Sequence, residues 1–127
     1  MKVLLDTNTL IWAAMMPERL GAVIETLANG ECIISAVSVW ELAIKQGLGK
    51  IRLGAPAGAF VTRAAAEFNA TTLSITTAHA AQVEHLPPHH RDPFDRLLVA
   101  QAQLESATLV TADRALAAYG DMVQVIG

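Results

Sequence analysis

The sequence predicts an α/β layer fold with a mostly parallel sheet. Three observations predict it. Five short β-favouring runs are spread along the chain, helical stretches fall between them, and glycines stand where several of those helices should stop. Strands that alternate with helices pair in parallel and cover both sheet faces.

Val3 to Leu5 is the first strand run, closed by Asp6-Thr7-Asn8. Arg19 to Asn29 carries apolar residues at 20, 23, 24 and 27, one face of a helix, and Gly30 stops it. Cys32 to Ser35 is the second strand and Ser38 to Gly47 the helix after it, with Gly47 and Gly49 as stops. Ala57 to Phe68 has apolar positions at 60, 61, 64, 65 and 68 and is the next helix. Thr71 to Thr76 alternates like a third strand, and Thr77 to Leu86 follows as helix. Pro93 to Glu105 opens on proline, whose fixed φ suits a first helical position. Ala107 to Thr111 is the fourth strand, Ala112 to Tyr119 a helix stopped by Gly120, and Met122 to Ile126 the fifth strand. In such folds ligands bind outside the carboxyl ends of the strands, which says where to look for chemistry.

The chain of 127 residues suits one domain, residues 1–127. Hydrophobic residues make up 53% and charged residues 17%, enough for a filled core and too apolar for disorder. Mean hydropathy is +0.39. No run approaches the roughly 18 apolar residues of a membrane span. Asp6 also comes too early for a secretory leader, so a cytoplasmic protein with surplus apolar surface is expected. That surplus points to a homodimer or a dedicated binding protein. A net charge of -3 excludes a generic polyanion binder unless a metal supplies positive charge. The single Cys32 excludes an internal disulfide and a cysteine zinc site, and reads as a small buried hydrophobe.

Four acids fall on the predicted ligand edge. Asp6 follows strand one, Glu41 lies early in the helix after strand two, Asp95 opens a helix and Asp113 follows strand four. Each has a structural explanation. Asp6 and Asp113 can cap helices, Ser38 and Glu41 fit a capping box, and Asp92-Pro93-Phe94-Asp95 reads as a cap, a proline and a dipole-favoured acid. Capping does not require the acids to crowd together. Two carboxylates about 4 Å apart repel by about 4 kcal/mol at an effective dielectric near 20. Four would strain a domain stable by about 5–15 kcal/mol. A hard divalent cation, Mg²⁺ or Mn²⁺, removes the strain and can activate water against a phosphodiester. If the quartet is crowded, Asp113→Asn should stabilise the metal-free protein.

At these residues the sequence resembles the PIN-domain nucleases, specifically the VapC-type toxins of toxin–antitoxin pairs. The resemblance runs through Leu5-Asp6-Thr7-Asn8, Ser35-Ala36-Val37-Ser38-Val39-Trp40-Glu41-Leu42, His90-Arg91-Asp92-Pro93-Phe94-Asp95-Arg96-Leu97-Leu98 and Thr111-Ala112-Asp113. It implies a three-layer α/β/α sandwich with a five-stranded parallel sheet. It also implies Mg²⁺- or Mn²⁺-dependent endoribonuclease activity and a homodimer inhibited by a cognate antitoxin. By position, Asp6, Glu41, Asp95 and Asp113 match the family's catalytic, metal-binding acids, and Asn8 and Thr111 its polar helpers. Asp92 is adequately explained as the cap before Pro93.

Arg91, Arg96 and Arg114 lie beside the acids and either contact RNA phosphate or balance charge. His85, His89 and His90 flank a proline pair and read as a solvated loop, and His79 has no special claim. Trp12 and Trp40 read as core or interface. Lys45, Lys50 and Arg52 read as a solvated face. An aspartyl-nucleophile phosphatase would need an acid where Asn8 stands, and a receiver domain an acid after a middle strand; both are absent. A non-catalytic module gripping a basic partner peptide is the remaining alternative.

Overall fold

The computed structural model describes residues 1–126. Five strands form one parallel sheet: β1 (Lys2–Leu5), β2 (Glu31–Ser35), β3 (Thr71–Leu73), β4 (Thr108–Thr111) and β5 (Val123–Val125), in the order β3-β2-β1-β4-β5. Successive strand residues point to opposite faces. Val3, Leu5, Cys32, Ile34 and Val110 therefore enter one apolar cluster, and Leu4, Ile33 and Leu109 the other.

The first face is covered by α1 (Thr7–Met15), α2 (Val23–Asn29) and α4 (Ala57–Glu67), through Leu10, Ala13, Leu27, Val61 and Ala64. The second is covered chiefly by α6 (Pro93–Glu105), through Leu97, Leu98 and Ala102, with Leu116 from the 3-10 helix Arg114–Tyr119. The helix α3 (Ala36–Gly47) sends Val37 to the second cluster and Leu42 to the first. It lies directly after β2, and so carries Glu41 out beyond the carboxyl end of that strand. Three layers result, as the sequence leads one to expect. Among the described residues no helix is long and apolar enough to cross a membrane.

Several boundaries differ from the sequence reading, each for a local reason. Thr7–Met15 is a helix to which the apolar spacing gives no bounds; the Asp6 carboxylate caps it, as its position allows, by accepting from the Thr9 N–H at 2.8 Å. Arg19 to Asn29 is not one helix. A 3-10 turn, Pro17–Leu20, ends at Gly21, whose φ of 58° breaks the path before α2 begins. The third strand stops at Leu73, because Thr76 caps α5 (Thr77–Gln82) in a capping box with His79; a 3-10 turn, Val83–His85, follows α5. Ala112 to Tyr119 is realised as the 3-10 helix from Arg114. Ser35, not Ser38, caps α3 by accepting from the Val37 N–H at 3.0 Å. Glu41 therefore lies in the second turn and belongs to no capping box.

Behind the ligand edge runs a buried polar chain. The Ser35 hydroxyl donates to Gln101 Oε1 at 2.5 Å, and Gln101 Nε2 donates to His79 Nδ1 at 3.3 Å and to the Ser74 carbonyl at 3.4 Å. His79 Nδ1 also accepts from the Thr76 N–H at 3.0 Å, so the ring proton sits on Nε2 and is donated to Glu105 Oε2 at 3.0 Å. His79 is a structural residue fully inside the protein, which an alanine-rich helix gave no reason to expect.

Gly30 closes α2 at the point where the chain turns into β2. A Cβ there would stand 3.0 Å from both the Met1 and the Thr26 carbonyl oxygens. These are backbone atoms tied into β2 and α2, so neither can give way cheaply. Gly30→Ala is expected to lower unfolding free energy by about 1–3 kcal/mol, measured by urea denaturation.

Candidate metal centre

The strand order reverses beside β1, between β2 on one side and β4 on the other, and the candidate site sits at that switch point. Asp6 leaves β1 and Thr111 ends β4. Their side chains meet, with Thr111 Oγ1 donating to Asp6 Oδ2 at 2.5 Å. With Thr9 N–H on Oδ1, both Asp6 oxygens are fixed in a residue that is 3% exposed. Thr7 and Ser38 share a hydroxyl hydrogen bond of 3.0 Å, which ties the first turn of α1 to α3. Through α3 this sets Glu41 beside Asp6.

Glu41 is buried, and its two oxygens differ. Oε2 accepts from the Lys45 ammonium at 2.5 Å, one helical turn on, while Oε1 is buried with no hydrogen-bond partner. The solvated-face reading of Lys45 is thus corrected: its pKa is raised, first by that bond and then by the charges of Glu41, Asp92 and Asp95. Asp95 stands in the first turn of α6, where Asp92 takes the capping role by accepting from the Phe94 and Asp95 N–H groups at 2.8 and 3.2 Å. The Asp95 carboxyl is released from capping. Burial, then the charges of Asp92, Asp6 and Glu41, push its pKa up to about 7, with His90 opposing. Burial also raises the pKa of Asp6, against its bonds from Thr111 and Thr9, with the Glu41 charge adding to the rise.

Asp113 is arranged differently. Its Oδ1 accepts from the Ala115 N–H at 3.0 Å and its Oδ2 lies 2.8 Å from His90 Nε2. The His90 bond holds its pKa below the usual carboxylate range. The expectation that Asp113→Asn relieves strain is therefore overturned: Asp113 is a stabilised carboxylate, and the crowded one is Asp95. The structure thus brings Asp6, Glu41 and Asp95 within range of one another's charge and joins Asp113 to Asp95 through His90, whose Nε2 is 3.6 Å from Asp95 Oδ2. Among the described residues, ligand atoms converge within 4.8 Å at His90, Asp95 and Asp113, a group that leaves out Asp6 and Glu41.

His90 is the residue the sequence reading set aside wrongly. A partner 23 positions away leaves no local signal. His89 packs edge-on against Tyr119, with ring centroids 5.1 Å apart, and His85 is exposed. Arg96 is also reassigned. Its guanidinium donates to the carbonyls of Pro87, His90, Val83 and Leu86 and to the Tyr119 hydroxyl, at 3.0 to 3.4 Å. It is a strut for the loop that carries His90. Asn8, Arg91 and Arg114 are exposed near this edge. Trp40 and Phe94, each preceding an acid of the cluster, stack edge-to-face with centroids 4.7 Å apart. Trp12 is half-buried under the Arg19 guanidinium.

The donor set fits a hard divalent cation. It offers carboxylate oxygens on rigid element ends, one of them buried and unpartnered, and an acid whose proton is loosely held at neutral pH. Soft ligands are missing, since the one cysteine, Cys32, is buried in the core with its thiol pKa pushed up to about 11.

Comparison with known proteins shows the family. The family model described as the PIN domain matches residues 3–122. The chain belongs to the PIN-domain family. A curated relative, Ribonuclease VapC22 of Mycobacterium tuberculosis, is 32% identical over 120 residues, covering 92% of this chain and 91% of the relative. Two solved structures share the fold of this PIN domain. One is VapBC2 from Rickettsia felis bound to a DNA fragment from the promoter, with a TM-score of 0.72, 19% identity and full coverage of both chains. The other is DNA-bound VapBC from Salmonella typhimurium, with a TM-score of 0.66, 18% identity and 98% coverage of both.

Proposed function

We propose that residues 1–127 form one nuclease unit, a Mg²⁺- or Mn²⁺-dependent endoribonuclease acting as the toxin of a toxin–antitoxin pair. The observation that carries the proposal is Glu41 Oε1, a buried acceptor without a donor inside a cluster of acids. A buried polar atom left unpaired costs about 1–3 kcal/mol. A cation ligated there removes that cost and the repulsion together. The kinship with a ribonuclease supports RNA as the substrate.

Asp95 and Asp113, whose ligand oxygens lie within 4.8 Å of each other, would hold the cation, and Asp6 and Glu41 would complete the cage. The cation, when bound, supplies charge neutralisation at the phosphodiester and lowers the pKa of attacking water. The protein supplies the aim. Thr111 and the Thr9 N–H lock the Asp6 carboxylate, and Lys45 holds one Glu41 oxygen, leaving the other buried and without a protein donor. Asp95 gives up its proton near neutral pH, which makes it available as a ligand. Asn8 stands at the rim to orient water or phosphate, and Arg91 and Arg114 are the side chains offered to the RNA backbone.

The partners follow from the apolar surface. Trp40 and Ile44 in α3 and Leu48 at its C-cap are exposed and recur every fourth residue, which supports a homodimer through that face. A groove of about 250 Å³, lined by Pro17, Leu20, Ile24, Leu27 and Phe68, supports seating of an antitoxin's apolar tail.

The test is RNA cleavage by purified, antitoxin-free protein. Cleavage with Mn²⁺ or Mg²⁺, its loss in EDTA, and a fall of about 100-fold or more in Asp6→Asn are expected. Equal cleavage by wild type and Asp6→Asn would mean a contaminating nuclease and would sink the proposal.

A further inference from the structure

The His90 ring stands between two of the acids, and its hydrogen bonds decide what it can do there. Nδ1 accepts from the Asp92 N–H at 3.0 Å. A nitrogen that accepts from an amide carries no proton, so the proton of the neutral ring is on Nε2. Nε2–H then donates to Asp113 Oδ2 at 2.8 Å and faces Asp95 Oδ2 at 3.6 Å. Ligand atoms of His90, Asp95 and Asp113 lie within 4.8 Å of one another, a spacing that could embrace a cation. The ring nevertheless has no lone pair to give: one nitrogen accepts from the amide and the other holds the proton. The loop is clamped in this pose, since Arg96 from α6 grips the Pro87 and His90 carbonyls, and Asp92 caps that same helix.

We propose that His90 is a positioning residue and not a metal ligand: it donates Nε2–H to Asp113 and so turns that carboxylate toward the cation held by Asp95. This rests on the metal-dependent reading of the acid cluster. The imidazole does for Asp113 what Thr111 does for Asp6, supplying a hydrogen-bond donor behind a ligating carboxylate. Such outer partners fix ligand orientation, and their removal typically costs about 10–100-fold in metal affinity. Arg96 acts one step further out, through the loop.

Two measurements test it. The first is ¹⁵N NMR of the histidine rings in wild-type protein, without metal and with Mg²⁺. The Nε2–H tautomer of His90 is expected in both. Transfer of the proton to Nδ1 on adding Mg²⁺ would mean that Nε2 has become a ligand, and would overturn the proposal. The second is calorimetric titration with Mn²⁺. His90→Ala is expected to weaken binding about tenfold or more, and His90→Gln, whose amide restores an N–H donor, to recover most of the loss. Unchanged affinity in His90→Ala, or no recovery in His90→Gln, would overturn it. The two readings fail separately. Wild type that neither binds Mn²⁺ nor cleaves RNA removes the nuclease proposal, while wild type that does both and is matched by His90→Ala removes only the role of His90.

Discussion

Asp95→Asn is expected to abolish metal-dependent RNA cleavage and, in the same preparation, to make the metal-free protein more stable at neutral pH. The two effects have one origin. Asp95 sits in the first turn of α6 but caps nothing, and burial with Asp92, Asp6 and Glu41 around it brings its pKa up to about 7. In the unfolded chain the same carboxyl titrates near 3.8. Between those values the folded protein binds more protons than the unfolded chain, so folding stability falls as pH rises from about 4 to 7. A shift of that size corresponds to a loss of up to about 4 kcal/mol. Thermal melts in EDTA across this range should show the decline, and Asp95→Asn should flatten it. Saturating Mg²⁺ should restore stability at pH 7 and contribute little at pH 5, where protons compete for the ligand. Activity should fall by about 100-fold or more. A variant that cleaves normally, or a pH slope identical to wild type, would remove Asp95 from the site.

The second large effect concerns Gln101, in the buried chain from Ser35 to Glu105. Gln101→Leu keeps the side-chain volume while removing an acceptor for the Ser35 hydroxyl and a donor to His79 and Ser74. Gln101 is 0% exposed, so water cannot replace it. The buried Ser35 hydroxyl is left without its acceptor, while His79 Nδ1 keeps the Thr76 N–H, so a loss of about 1–3 kcal/mol is predicted in urea denaturation. Because Ser35 caps the helix that carries Glu41, Mn²⁺ affinity should weaken as well. A loss below about 1 kcal/mol would mean that the chain contributes little.

What could be read in the sequence was what is written locally. The five strands are short β-branched runs between turn residues, and their alternation with helices fixes a parallel sheet and hence an edge for ligands. The acids were legible because each follows a strand or opens a helix. Misreadings arose where one residue fits two local roles. Ser38 and Glu41 match a capping box in pattern, yet Ser35 at the strand end takes the cap, and the helix begins before Ser38. Asp6 also fits two roles, ending the strand and capping the next helix, and the structure shows it doing both. The long-range pairs were out of reach. His90 with Asp113, Arg96 with the loop carbonyls and His79 with Glu105 are separated by 6 to 26 positions, and no periodicity encodes them.

Because all five strands run the same way, the two ends of the chain are not equivalent for anyone attaching something to it. An affinity tag or fluorophore placed before β1 leaves from the edge opposite the acids. A fusion placed after β5 emerges on the acids' own side, where a polyhistidine tail would bring chelating groups close to the cation under study. Binding and cleavage assays are therefore best run on protein labelled at the front.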